Sequence, residues 1–292
     1  MKTDALRLHR LCLLALILFF MFTGPGIAYG AGLKVSPGAF SLQNARVGED
    51  VDLDIDLVIT NKGDEERVFV ISTTKPQKIK IKGYTEIPDP SWFYFDKNRV
   101  KIGPGQEAKV AMHLKVPDKA KYYNQHWLLY AQIRGEAKKG ETFEAAVAPN
   151  YMIETQAKAD IETRPHGELG LAPSTVKATV VVPGTEEKVN FKIYNNDDKK
   201  HVYAVYSYIP KATKAKQDIS GTPGYEWIGD EDWLKPATRA LTLNPGQAKE
   251  VSLDIFIPKG EKCKDKGWES IIYVEPEKGQ TGFVRILIEP LK

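Results

Sequence analysis

Cysteine is nearly absent: the 292 residues contain only Cys12 and Cys263. A disulfide framework is therefore excluded, and any folded unit must be held by an apolar core. Histidine is scarce too. His9, His113, His126, His166 and His201 are the five, no two spaced as zinc ligands on one element, and no His-Glu-x-x-His occurs. There is no Gly-x-Ser-x-Gly elbow. No glycine-rich phosphate loop occurs either: in Gly103-Pro104-Gly105 the proline removes an amide that could hold an anion. These gaps exclude the common catalytic constellations, so no catalytic residue, cofactor or metal is expected. An excess of one charge is missing as well: 41 basic against 38 acidic residues leaves +3. That balance argues against a nucleic-acid binder or a polybasic membrane-surface protein. Helical stripes are missing; the N-terminal apolar run of about a dozen residues is too short to span a bilayer with ease, and no stretch of about 18 occurs downstream.

What is present begins with a leader-like segment. Lys2, Arg7 and Arg10 precede an apolar run over residues 11–22, and Gly24, Pro25 and Gly26 follow it. Ala28-Tyr29-Gly30 puts small residues where a signal peptidase reads, so cleavage is expected before Ala31. The alternative is an uncleaved anchor. Cys12 follows Arg10 and Leu11 directly, which is no lipobox. The expectation is an exported protein, periplasmic or extracellular, with no transmembrane segment after cleavage. Removing Lys2, Arg7, Arg10 and Asp4 brings the 41 and 38 charges to about 38 and 37.

The remainder repeats itself at an offset of about 141 residues, the separation of Gly83 from Gly224. Tyr84 matches Tyr225, Trp92 matches Trp233, and Trp127 matches Trp268. Ile102-Gly103-Pro104-Gly105-Gln106 matches Leu243-Asn244-Pro245-Gly246-Gln247, and Val116-Pro117 matches Ile257-Pro258. Upstream, Asn61, Gly48 and Pro37 match Asn195, Gly184 and Pro173 with small shifts. Two copies of one domain follow each other: residues 1–30 as leader, 31–164 as the first unit, 165–292 as the second. The junction near Arg164-Pro165-His166-Gly167 is short and allows limited hinge motion unless the units share an interface.

Strand signals fill both copies. Residues 51–60 alternate strictly, with Val51, Leu53, Ile55 and Leu57 on one face and Asp52, Asp54 and Asp56 on the other. Strands are also predicted over 67–72, 78–82, 91–95 and 108–116, with a hairpin over 127–134 and 141–147 and an extended segment over 151–163. In the second copy they cover 188–194, 201–209 and 248–257, then a hairpin over 268–274 and 283–288; residues 211–223 form a polar excursion. Many short strands with regular turns predict an all-β fold of two tandem immunoglobulin-like sandwiches. The aspartate ladder is too widely spaced for one calcium ion and is expected to pair with the strand bearing Lys109, His113 and Lys115. Lys78, Lys80 and Lys82 add to that balance or guard a sheet edge. Trp127 and Trp268 are core candidates. Trp92, Trp233, Tyr84, Tyr225 and the loop thiol Cys263 are the candidates for partner contact, Cys263 through an intermolecular disulfide.

Two motifs carry a resemblance. A strand ends in a polar turn, Ile59-Thr60-Asn61-Lys62 or Ile193-Tyr194-Asn195-Asn196, and roughly 40 residues later an apolar-x-Pro-Gly-Gln turn leads into an alternating strand closed by proline. This pattern resembles exported bacterial tandem Ig-like domains of the PapD-like and Fn3-like type. The resemblance implies a non-catalytic binding or scaffolding role in the cell envelope, with a protein or envelope component as partner and no nucleic acid. It says nothing of oligomeric state. Periplasmic pilus-assembly chaperones are one such group and act by strand donation, gripping a subunit's terminal carboxylate with an Arg and a Lys in the interdomain cleft. Here the first strand offers Lys34 alone, and the last strand of the first unit carries Lys158.

Overall fold

The repeat landmarks close the same turns in both copies. Asn61, 2% exposed, donates from Nδ2 to the carbonyls of Glu65 (2.7 Å) and Ile102 (3.0 Å) and accepts from Gly63 N (3.0 Å). Asn195 donates to Lys199 O (2.7 Å) and Leu243 O (3.0 Å) and accepts from Asp197 N (3.1 Å). The Pro-Gly-Gln turn docks on the same asparagine: Gly105 N reaches Asn61 O and Gly246 N reaches Asn195 O. Gly105 and Gly246 sit at φ +70° and +71°, where a side chain is disfavoured. One buried amide thus ties three chain segments together, which is why the two motifs recur together.

A computed structural model describes residues 20–21, 28–30, 32–136, 146–210, 219–261 and 266–290. In chain order the strands are β1 (Phe20–Met21), β2 (Ala28–Gly30), β3 (Leu33–Ser36), β4 (Ala39–Ala45), β5 (Asp50–Asn61), β6 (Arg67–Thr74), β7 (Thr85–Glu86), β8 (Phe93–Phe95), β9 (Arg99–Ile102), β10 (Glu107–Lys115), β11 (His126–Gly135), β12 (Ala146–Val147) and β13 (Asn150–Thr155). The second series is β14 (Leu169–Ala172), β15 (Thr175–Val181), β16 (Glu186–Asn195), β17 (His201–Tyr208), β18 (Tyr225–Trp227), β19 (Leu234–Pro236), β20 (Ala240–Leu243), β21 (Ala248–Phe256), β22 (Gly267–Pro276) and β23 (Gly282–Pro290). Single turns of 3₁₀ helix, Pro90–Trp92, Ala120–Tyr122 and Glu231–Trp233, are the helical elements among the described residues.

These strands build two tandem immunoglobulin-like β-sandwiches. The first pairs a sheet ordered β2-β3-β5-β10-β8 with one ordered β1-β4-β13-β11-β6-β9. The second repeats this as β14-β16-β21-β19 and β15-β23-β22-β17-β20. In each copy the first strand changes sheet at the matched proline: β3 runs antiparallel to β5 and β4 parallel to β13, with Pro37 between; β14 runs antiparallel to β16 and β15 parallel to β23, with Pro173 between. One core centres on Leu53, Leu57, Val110, Trp127 and Tyr151, the other on Phe191, Ile193, Leu253, Trp268 and Ile272. Trp127 and Trp268 are buried as expected.

The aspartate-bearing strand β5 does pair with β10, but the charge ladder is only partly formed: Asp52 lies opposite His113, Lys115 pairs with Asp50 (3.1 Å), and Lys109 and Asp56 lie opposite Val58 and Ala111. A bulge at this point leaves Asp54 at φ +52°, its N–H donating to Asp52 Oδ1. Two expectations need correction. Residues 78–82 form no strand; Ile79 and Ile81 turn onto the other sandwich and do not extend a ladder. The extended segment from Tyr151 stops at Thr155. The leader-like segment contributes β1, paired with β4, and β2, paired with β3. Cys263 and residues 137–145 and 211–218 lie outside the described residues.

Candidate functional site

Strands buried on one face alternate, but the closing strands here do not. Trp127-Leu128-Leu129 and Ile271-Ile272-Tyr273-Val274 are apolar on both faces, which requires cover on both. The inner row fills the sandwich cores. The outer row, Leu128 and Met152 of the first sandwich and Ile271, Tyr273 and Phe283 of the second, meets at a third apolar cluster with Ile81, Tyr84 and Ile219. The linker is therefore no free hinge, because the two sandwiches share a dry interface. Gly83 makes the approach possible: at φ +87°, a Cβ there would fall 2.5 Å from the Phe283 ring.

Within this apolar layer lies an ion cluster. The Arg285 guanidinium on β23, 2% exposed, donates from Nε to Glu154 Oε2 (3.1 Å) and from Nη2 to Glu154 Oε1 (2.6 Å). Its Nη1 donates to Ser220 O at 3.0 Å and to Glu269 Oε1. Glu154 is the last outward residue of β13 before Thr155, and it also accepts the Tyr84 hydroxyl at 2.7 Å. Glu269 accepts Thr222 N (2.5 Å) and Thr222 Oγ1 (3.1 Å). Every charge is thus hydrogen-bonded, the condition for tolerating charges in a dry interior.

The electrostatics follow from this packing. Burial pushes the Glu154 carboxyl up, but the Arg285 and His126 charges and the hydrogen bonds from Arg285 and Tyr84 outweigh it and hold it below its ordinary value. Tyr84 is pushed well up, by burial first and by the neighbouring Glu154 carboxylate next. His126 opens β11 and stacks on Phe283 with ring centroids 3.8 Å apart. Burial lowers it to about 4, Arg285 adds to the effect, and Glu154 opposes it. Its Nε2 has no hydrogen-bond partner among the described residues.

Polar contacts ring the apolar layer. Lys82 donates to Tyr206 Oη and to Glu275 Oε2, both at 2.7 Å, with its ammonium 4.9 Å above the Tyr273 ring. Gln43 Nε2 reaches the carbonyls of Ser220 and Gly221, and Asn124 Oδ1 accepts Ser174 N at 2.9 Å. Lys82 thus serves the junction, which neither role expected of the 78–82 lysines included.

The residues picked from sequence fall into different places. Trp92 is half-buried against Tyr122 (4.8 Å, edge-on) and Trp127 (5.6 Å). Trp233 is half-buried edge-on to Trp268 at 6.1 Å. Each packs on the core tryptophan of its own sandwich. Tyr84 is 3% exposed, so its contact is internal, between the sandwiches. Tyr225 is half-buried and donates to Glu289 Oε1 at 2.8 Å; burial, then Glu289, pushes its phenol up to about 12. Sequence reading missed Glu154, Glu269 and Arg285. The available signal was the doubly apolar closing strands, in which a lone charge on the outer row demands a partner.

No family model matches the chain, and no curated protein matches it. Among solved structures it is similar to a protein of unknown function from Porphyromonas gingivalis W83, at 11% identity, covering 88% of this chain and 99% of that one, with TM-score 0.32. It is similar to an ASH / PapD-like domain of human CEP192, at 11% identity, 46% and 94% coverage and TM-score 0.30. It is also similar to the E. coli chaperone DraB, at 10% identity, 85% and 95% coverage and TM-score 0.26. At these TM-scores the likeness carries no weight for function, and the fold rests on the strand pairings above.

Proposed function

We propose that this chain is an exported, non-catalytic binding or scaffolding protein of the bacterial cell envelope, built of units 31–164 and 165–292 held as one body. The observation that carries the reading is the edge strand β15. Its inner residues Val176 and Ala178 are buried, while Lys177 and Thr179 are exposed. Among the described residues nothing pairs with its outer side; the matching strand β4 is covered there by β1 of the leader-like segment, which the proposed cleavage would remove. An open, alternating edge beside a rigid sandwich is the surface that strand addition uses. The partner is a protein or an envelope component that lays an extended segment along β15.

The fused junction supports this reading over a pilus-assembly-type chaperone, because the one buried cation of the described junction, Arg285, is matched to two carboxylates and has no free face for a subunit's terminus. A photo-crosslinking residue at Lys177 or Thr179 should give a discrete adduct in the cell envelope, and the same residue at exposed Lys192, on an inner strand of the opposite sheet, should give none. Equal adducts from both positions, or none from β15, would sink the edge. Export is checked separately: the exported fraction should contain a chain beginning at Ala31, and a chain found only in the cytoplasm would overturn that part.

A further inference from the structure

The hydrogen bond that anchors the junction occurs twice. In the first sandwich Tyr84 Oη donates to Glu154 Oε1 at 2.7 Å; in the second, Tyr225 Oη donates to Glu289 Oε1 at 2.8 Å. The residues are equivalent by two independent routes. Tyr84 and Tyr225 follow the matched glycines Gly83 and Gly224. Glu154 and Glu289 each follow a core isoleucine that pairs with the first strand in matched register, Ile153 with Leu42 and Ile288 with Ala178.

The two pairs differ in what they hold. Glu154 receives the two-pronged guanidinium of Arg285 in addition to its tyrosine. Glu289 is exposed, and among the described residues no base pairs with it. Tyr225 is nevertheless held in place, because its ring lies directly over Gly267, where a Cβ would collide with it. The pair is therefore pre-positioned with one carboxylate oxygen oriented by the phenol and the rest of the carboxylate open. Guanidinium groups match a fixed carboxylate with parallel hydrogen bonds, which an ammonium cannot do.

We infer that Tyr225 and Glu289 form an arginine socket for a partner protein. It repeats in the second sandwich the recognition that the first sandwich uses internally. The occupant is an arginine side chain projecting from a strand of another protein. A second copy of this chain does not supply it in the same way: its Arg285 is already engaged, and the first sandwich has Asn150 at the matching position. The inference rests on the partner-binding reading above and gives that partner a chemistry. A strand added along β15 would lie two strand spacings, about 10 Å, from β23, within the combined reach of an arginine and a glutamate.

The test uses a small probe, so it is independent of whether β15 receives a strand. The leader-free chain is titrated with N-acetyl-arginine methylamide and, separately, with the lysine analogue, while the Tyr225 ring and Glu289 carboxyl signals are followed by NMR. The expected result is a saturable shift with the arginine probe, in the range of roughly tens of millimolar. The lysine probe should bind at least threefold more weakly, and Glu289→Gln should abolish the shift. Because Glu289 is exposed, that variant should keep the wild-type melting temperature; Tyr225→Phe serves as the second variant and should weaken binding by several fold. No saturable shift, equal binding of the two probes, or an unchanged response in Glu289→Gln overturns the socket. The crosslink at Lys177 would be unaffected by any of these outcomes.

Discussion

Arg285 is the residue on which the junction turns. One guanidinium serves two buried carboxylates, so its removal would leave both without a counter-charge in an apolar layer. Arg285→Ala is expected to destabilise the chain by about 3–5 kcal/mol in urea unfolding. Glu154→Gln should cost less, about 1–3 kcal/mol, because it leaves Arg285 paired one-to-one with Glu269. Equal, small effects would mean the cluster is wet. His126 makes the same region acid-sensitive. It titrates at about 4 in the folded chain, against about 6.5 when unfolded. The unfolded state therefore binds the extra proton between these values. Stability should be complete above about pH 6.5, fall as pH drops toward 4, and level off below, a loss of about 3 kcal/mol. The depressed Glu154 carboxyl continues the loss at lower pH, as it protonates on acidification. His126→Phe should flatten the slope between pH 6.5 and 4 while leaving the acid limb; identical slopes in the two proteins would discount His126.

Among the elements, the turns around Asn61 and Asn195 are equivalent enough to predict equal penalties. Each asparagine donates to two carbonyls and accepts one amide while buried. Asn61→Ala and Asn195→Ala should each cost about 2–3 kcal/mol by urea titration; a negligible effect in either copy would break the equivalence. These turns and most strands were legible in sequence because alternation and turn chemistry are local. Asp52 opposite His113 followed from the pleat of β5 and the fold class alone. Residues 78–82 misled for the same reason. Their Lys-Ile-Lys-Ile-Lys pattern specifies two faces but not what covers them, and here the isoleucines cover the other sandwich. Tyr84 and Tyr225 carry identical local sequence signals, yet one is buried at the junction and the other half-exposed. Only the approach of the second sandwich separates them. The doubly apolar strands signalled that each charge needs a partner, but not which one, because Glu154 and Arg285 lie 131 residues apart with no motif joining them.

At the scale of the molecule, the repeat does more than double a fold. The outer faces of the two closing hairpins, matched in sequence, are packed against each other, so the duplicated surface is consumed in making one body. The second sandwich keeps open the β15 edge and the Tyr225–Glu289 pair. A rigid body would present both in fixed geometry, whereas two sandwiches on a loose linker would not. The direct measurement is the distance distribution between spin labels at exposed Lys109 on β10 and Lys249 on β21, introduced in a Cys263→Ser background. The account predicts a single narrow distribution that broadens in Arg285→Ala. A broad or multiple distribution in the chain with Arg285 intact would contradict it.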